Sequence, residues 1–157
     1  MYRKVINMDR PLKWHKFLIY FVLWFVALGY IIRGAGMIFV GLTGYESNPF
    51  FQLPAIKTLN VAYGVIYVAY AVYHIYVRYQ LARFRKDAPK KLLLTYLLYP
   101  VLEVAYAPLA LLVIGAPASL IFNAKIVGTI IGAVIGTSIV YIPTKIYYDN
   151  RAELFIN

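Results

Sequence analysis

From Phe17 to Leu42 the chain reads "FLIYFVLWFVALGYIIRGAGMIFVGL", an apolar run broken by one charge, Arg33. A helix needs about 20 such residues to cross a hydrocarbon core about 30 Å thick. Three more runs of this kind follow, at about 58–77, 92–115 and 121–142. No water reaches the backbone inside a bilayer, so a spanning segment must satisfy its own amides, as a helix or as part of a closed barrel. The runs lack strict apolar and polar alternation, so the sequence predicts an all-α membrane protein with four transmembrane helices forming one domain over residues 1–157.

Composition agrees. Hydrophobic residues make up 62% of the chain, against roughly 45–50% in soluble domains, and the mean hydropathy is +0.69. Four spans and their connections use nearly all of the 157 residues, so no extramembrane domain is expected. The absence of cysteine excludes disulfides, thiolate metal sites and dithiol relays.

The net charge of +10 is distributed by position. Arg3, Lys4, Arg10, Lys13 and Lys16 precede the first span. Arg78, Arg83, Arg85, Lys86, Lys90 and Lys91 lie between the second and third, and Lys145 and Arg151 follow the fourth. The opposite side holds only Lys57 and Lys125. The positive-inside rule then places both termini and the middle loop in the cytoplasm, in a multi-pass protein of the cell membrane. The first span is too long for a signal-peptide core and lacks a small-residue cleavage site, so it reads as a retained helix. A nucleic-acid partner is not expected, since no soluble fold remains to present the basic residues. Topology accounts for the middle-loop cluster, which also suits anionic lipid headgroups.

Connections are short. "TGYESNPFFQLP" reads as a loop dipping into the interface, Pro89 as a break before the third span, and "APASLIFNAK" as a turn before the fourth. Pro143 falls near the end of the fourth span, and "KIYYDNRAELFIN" reads as a helical extension at the membrane surface.

Three ionisable residues fall within spans: Arg33, His74 and Glu103. Each is costly in hydrocarbon, and such residues usually face a bundle interior and mark function. At about 1.5 Å per residue, Arg33 lies about 24 Å and Glu103 about 16 Å above the basic ends of their spans. That offset of about 8 Å is within reach of two long side chains, so an Arg33–Glu103 ion pair is expected. The pair either fixes helix register or belongs to a functional site. His74, near the cytoplasmic end of the second span, is expected to be wet at the interface.

Helical spacing places Asn60, Tyr63, Tyr67, Tyr70 and His74 within an arc of about 80° on the second span. Tyr96, Tyr99, Glu103 and Tyr106 make a second stripe on the third span. Facing stripes satisfy each other's hydroxyls, leaving Tyr76 and Tyr79 for the interfacial belt. A tyrosine-lined space with one carboxylate suits an organic cation through its ring faces; an aromatic core is the other reading. Pro100 and Pro108 each remove a helix hydrogen bond in the third span, either opening a hydrated pocket beside Glu103 or only curving the helix. Gly128, Gly132 and Gly136 recur every four residues on the fourth span, a small-residue motif for tight helix packing. An internal partner helix is expected, and a second copy or another membrane protein is the alternative.

No P-loop, G-x-S-x-G or H-E-x-x-H motif occurs, and His15 and His74 lack carboxylate or thiolate companions at ligand spacing. The sequence therefore points to a non-enzymatic protein without metal or cofactor. It binds or transports a small solute or ion, or serves as a membrane subunit docking a partner through its glycine-rich fourth helix. "KWHKFLIYF", "YVRYQLARFRKDAPK" and "KIYYDNRAELF" resemble a group of small, uncharacterised four-span membrane proteins from Gram-positive gut bacteria, a resemblance covering most of the chain. Small multidrug transporters also have four short helices and a membrane glutamate. Theirs lies in the first helix and their topology is dual, whereas Glu103 is in the third helix here and the charge bias is strong.

Overall fold

With apolar side chains at most positions, the polar load to be satisfied is the backbone, and helices satisfy it internally. The structure, a computed structural model, describes residues 12–45, 48–121 and 123–156. Among these residues the fold is helical without strands. The helices are α1 (Lys13–Thr43), α2 (Pro54–Ala82), α3 (Ala88–Val113) and α4 (Ala124–Asp149). Each lies in a helical segment long and apolar enough to span a membrane. Arg3, Lys4 and Arg10, counted above for topology, lie outside the described residues.

The helices run beyond the apolar runs because amphipathic side chains such as Lys13, Lys16 and Tyr79 carry a helix through the interface. Gly44 ends α1 in the left-handed conformation, its N–H donating to the Val40 carbonyl at 2.8 Å. A 3-10 turn at Pro49–Gln52 begins at Asn48, whose side chain accepts from the Phe50 amide at 2.9 Å. Pro89 does not break a helix. It sits in the first turn of α3, where a missing N–H costs nothing. Asn123 caps α4 by accepting from the Ile126 amide at 3.0 Å. Helix α3 continues through Pro100 and Pro108, and α4 through Pro143.

A π turn at Leu18–Val22 interrupts α1, and Arg78 of α2 donates to the Ile19 carbonyl within it at 2.8 Å. The same guanidinium lies 4.6 Å from the Trp24 ring centroid. Arg78 is thereby a brace between α1 and α2. At this end all four helices share a core containing Leu18, Val77, Leu92, Tyr148 and Phe155. His15 is buried there, its Nδ1 3.0 Å from the Tyr148 hydroxyl and its ring stacked on Phe84 with centroids 4.9 Å apart. Phe84 adopts a left-handed φ of 50°, held between the rings of His15 and Phe155. The tail is therefore more than a surface extension. After Asp149 it folds back through a 3-10 turn, Ala152–Leu154, and buries Phe155 against the start of α1 and the α2–α3 connection.

Packing is uneven along the chain. Helices α1 and α2 interlock backbone to backbone: a Cβ on Gly34 would come within 2.7 Å of the Gly64 carbonyl, and one on Gly41 within 2.6 Å of the Lys57 carbonyl. Close approach of this kind is what drives helices together in lipid, where hydrophobic burial offers no gain. Gly128, Gly132 and Gly136 differ from expectation, since a Cβ on any of them meets nothing within 4 Å. The buried positions of α4, Ile126, Thr144 and Tyr148, lie near its two ends. The helix is held at those ends and stands off between them, so its glycines have no internal helix to approach.

Gly64→Ala is expected to lower stability in lipid nanodiscs by about 1–3 kcal/mol through overpacking, whereas Gly128→Ala shifts it by less than about 0.5 kcal/mol. Thermal unfolding of the two variants checks the contrast.

Candidate functional site

Period 3.6 on α2 places one stripe inward: Asn60, Tyr63, Tyr67, Tyr70 and His74 are all buried. Each polar group on it must find a partner, because the surrounding hydrocarbon supplies none. Much of that need is met by α3. The Tyr106 hydroxyl donates to Asn60 Oδ1 at 2.6 Å, Tyr70 donates to the Thr95 carbonyl, and the Tyr67 hydroxyl donates to Glu103 Oε1 at 3.1 Å. Tyr63 meets Tyr106 edge to face, with ring centroids 5.1 Å apart. The facing stripes anticipated on α2 and α3 thus meet at Glu103 and Tyr106, whereas Tyr96 hydrogen-bonds Thr144 of α4 and Tyr99 borders a cavity.

Arg33 of α1 completes it. Its Nη1 donates to the same Glu103 Oε1, and its guanidinium carbon sits 4.5 Å from the Tyr67 ring centroid. One carboxylate oxygen therefore joins α1, α2 and α3, while Oε2 has no partner among the described residues. The expected ion pair is present, with the Glu103 side chain 21% and the Arg33 side chain 46% accessible.

That accessibility has a source. A cavity of about 630 Å³ lies between α1 and α4, floored by Tyr30, Tyr70, His74, Tyr99 and Glu103 and walled by Val22, Val26, Gly132, Gly136 and Val140. Tyr96 and Thr137 also line it. A second cavity, about 340 Å³, is lined by Arg33, Gly36, Met37, Val40, Phe51, Asn60 and Tyr106. By position along the helices, the first lies toward the basic end and the second toward the opposite end. Glu103 borders one and Arg33 the other, so the ion pair stands between them. Pro100 and Pro108 border a third, apolar cavity of about 390 Å³ between α3 and α4.

His74 departs from expectation. It is 2% exposed, not wet: Nδ1 lies 3.0 Å from the Tyr70 carbonyl, and its ring packs against Tyr70 and Tyr30. The tyrosines around it exclude bulk water. A carbonyl only accepts, so Nδ1 carries the proton in that bond, and in the neutral imidazole Nε2 is left an acceptor. Tyr99 is 40% exposed and borders the larger cavity, with no hydrogen bond to its hydroxyl among the described residues. Tyr76 and Tyr79 are exposed near the basic end; Lys91 donates to the Tyr76 hydroxyl at 2.9 Å, and the Arg83 guanidinium lies 4.0 Å from the Tyr79 ring centroid.

One central residue was not singled out in the sequence. Tyr30 contacts four rings, with centroids 5.9 Å from Tyr67, 4.8 Å from Tyr70, 5.4 Å from His74 and 6.2 Å from Tyr99. Its signal was its position three residues before Arg33, hence on the same helical face. No known protein family, curated protein or solved structure matches the chain.

Arg33→Met and Glu103→Met are each expected to destabilise the protein by leaving a charge unpaired in the membrane. The double variant recovers part of the loss, giving a coupling of about 0.5–3 kcal/mol. Unfolding of the four proteins in nanodiscs measures it, and simple additivity would contradict a coupled pair.

Proposed function

We propose that this chain is a non-catalytic multi-pass protein of the cell membrane whose tyrosine-lined interior binds or passes a small solute. One observation carries the reading: a solute-sized cavity borders Glu103, and a second borders Arg33 on the far side of their ion pair. A dry structural bundle would bury such a pair among side chains. In the proposed reading Glu103 balances a cation or exchanges a proton, the tyrosines contact the solute, and movement of Arg33 connects the two spaces. The positive-inside rule orients the larger cavity toward the cytoplasm, with both termini and the α2–α3 connection on that side. The convergence of His15, Phe84 and Phe155 at one end supports this pairing of ends.

The open space beside Gly128, Gly132 and Gly136 favours a second reading, in which α4 docks a helix of a partner protein or of another copy. One experiment separates the two. The chain has no cysteine, so single cysteines can be introduced without background. If the cleft admits solute, Gly136→Cys in membranes reacts with a cationic methanethiosulfonate reagent while Ile139→Cys, on an exposed apolar position, reacts slowly. An occupied docking face predicts instead that Gly136→Cys is protected until detergent removes the partner, and that a cysteine at Gly128 crosslinks to it.

A further inference from the structure

The larger cavity carries a carboxylate and no cationic side chain. Its ionisable residues are Glu103 and His74 together with tyrosines, and no Lys or Arg lines it. Glu103 Oε2 has no partner among the described residues, and in the neutral ring the Nδ1 bond to the Tyr70 carbonyl leaves His74 Nε2 an acceptor. The rings of Tyr30 and Tyr99, with centroids 6.2 Å apart, line the same cavity, and their negative faces attract cations. The guanidinium that would attract an anion, Arg33, borders the other cavity. The remaining wall is apolar or small, from Val22 and Val26 to Gly132 and Gly136.

From this arrangement we infer that the cleft is a binding site for amphiphilic amines: a protonated ammonium donates to Glu103 Oε2 against the ring faces of Tyr30 and Tyr99, and its apolar body lies along α1 and α4. The inference deepens the solute-binding reading and rests on it. A carboxylate accepts at both oxygens, so an ammonium at Oε2 and Arg33 at Oε1 are bound together without displacing one another. Charge-assisted bonds to a carboxylate in a low-dielectric site are stronger than neutral ones, which favours the protonated amine over a neutral alcohol of the same shape. Over the length of Leu23–Thr43, α1 packs on α2, and α4 packs on α3. The cleft between α1 and α4 is thus the route by which a membrane-dissolved amphiphile reaches Glu103.

The test uses the full chain in nanodiscs with dodecylamine, dodecanol and dodecanoate, three probes with one tail and different heads, read by the shift in thermal unfolding. Dodecylamine is expected to stabilise the protein most. Glu103→Gln weakens its apparent affinity about ten- to a hundredfold, the range of one charge-assisted hydrogen bond. Gly136→Leu, which fills open space in the cleft and touches neither acceptor, abolishes the shift and serves if Glu103→Gln does not fold. Equal or greater stabilisation by dodecanol or dodecanoate that Gly136→Leu removes would overturn the amine assignment while leaving a solute site. No stabilisation by any probe, or shifts that Gly136→Leu leaves intact, would overturn the inference and count against the solute reading as well.

Discussion

A carboxylate within hydrocarbon has no solvent to stabilise its charge, and α1, α2 and α3 are arranged around that difficulty at Glu103. Arg33 supplies the counter-charge from α1 and the Tyr67 hydroxyl supplies a second donor from α2. Because these partners come from different helices, satisfying one residue fixes the relative height of three. The neighbouring polar contacts, Tyr106 with Asn60 and Tyr70 with the Thr95 carbonyl, repeat the solution above and below. A one-turn slip of α3 along α2, about 5.4 Å, would unpair all of them together.

The uneven packing follows from where small and large residues fall. Gly34, Gly41 and Gly64 let α1 and α2 touch backbone to backbone, giving a firm half that carries Tyr30, Arg33 and the α2 stripe. Helix α4 is held near Ile126 at one end and by Thr144 and Tyr148 at the other, and between these points its glycines border space. A firm half bearing the charged and aromatic groups, with a loosely attached fourth helix as the outer wall, yields a cleft whose floor is polar and whose entrance is apolar. Helix packing at the glycines of α4 would close it.

The four helices were legible because hydrocarbon allows so few solutions: long apolar runs must be helical, and their ends carry Lys and Arg. The α2 and α3 stripes were legible from period alone, and the Arg33–Glu103 pair from rise per residue. What escaped depends on partners. Glycines mark a close contact only when another backbone is there to approach, so the regular spacing of Gly128, Gly132 and Gly136 pointed to packing that instead occurs at the less regular Gly34, Gly41 and Gly64. The depth of His74 along its helix suggested water, but Tyr30 and Tyr70 enclose it. The tail's burial rests on Phe155 meeting Phe84 and His15, three residues far apart in sequence. The fold class could thus be read from the chain, as could most of the residues that line the candidate site; a space beside Glu103 was one of two readings, and its size and walls could not be read, since a void is a property of how helices fail to meet.

The arrangement of α1, α2 and α3 depends on Glu103 being held as a carboxylate by Arg33 and Tyr67. Infrared difference spectroscopy of the protein in nanodiscs, comparing the parent with Glu103→Gln, reads its state directly. Loss of a carboxylate stretching band is expected in the variant, and a shift of that band when Tyr67→Phe removes one donor. A protonated acid carbonyl band at neutral pH, unaffected by Tyr67→Phe, would contradict it.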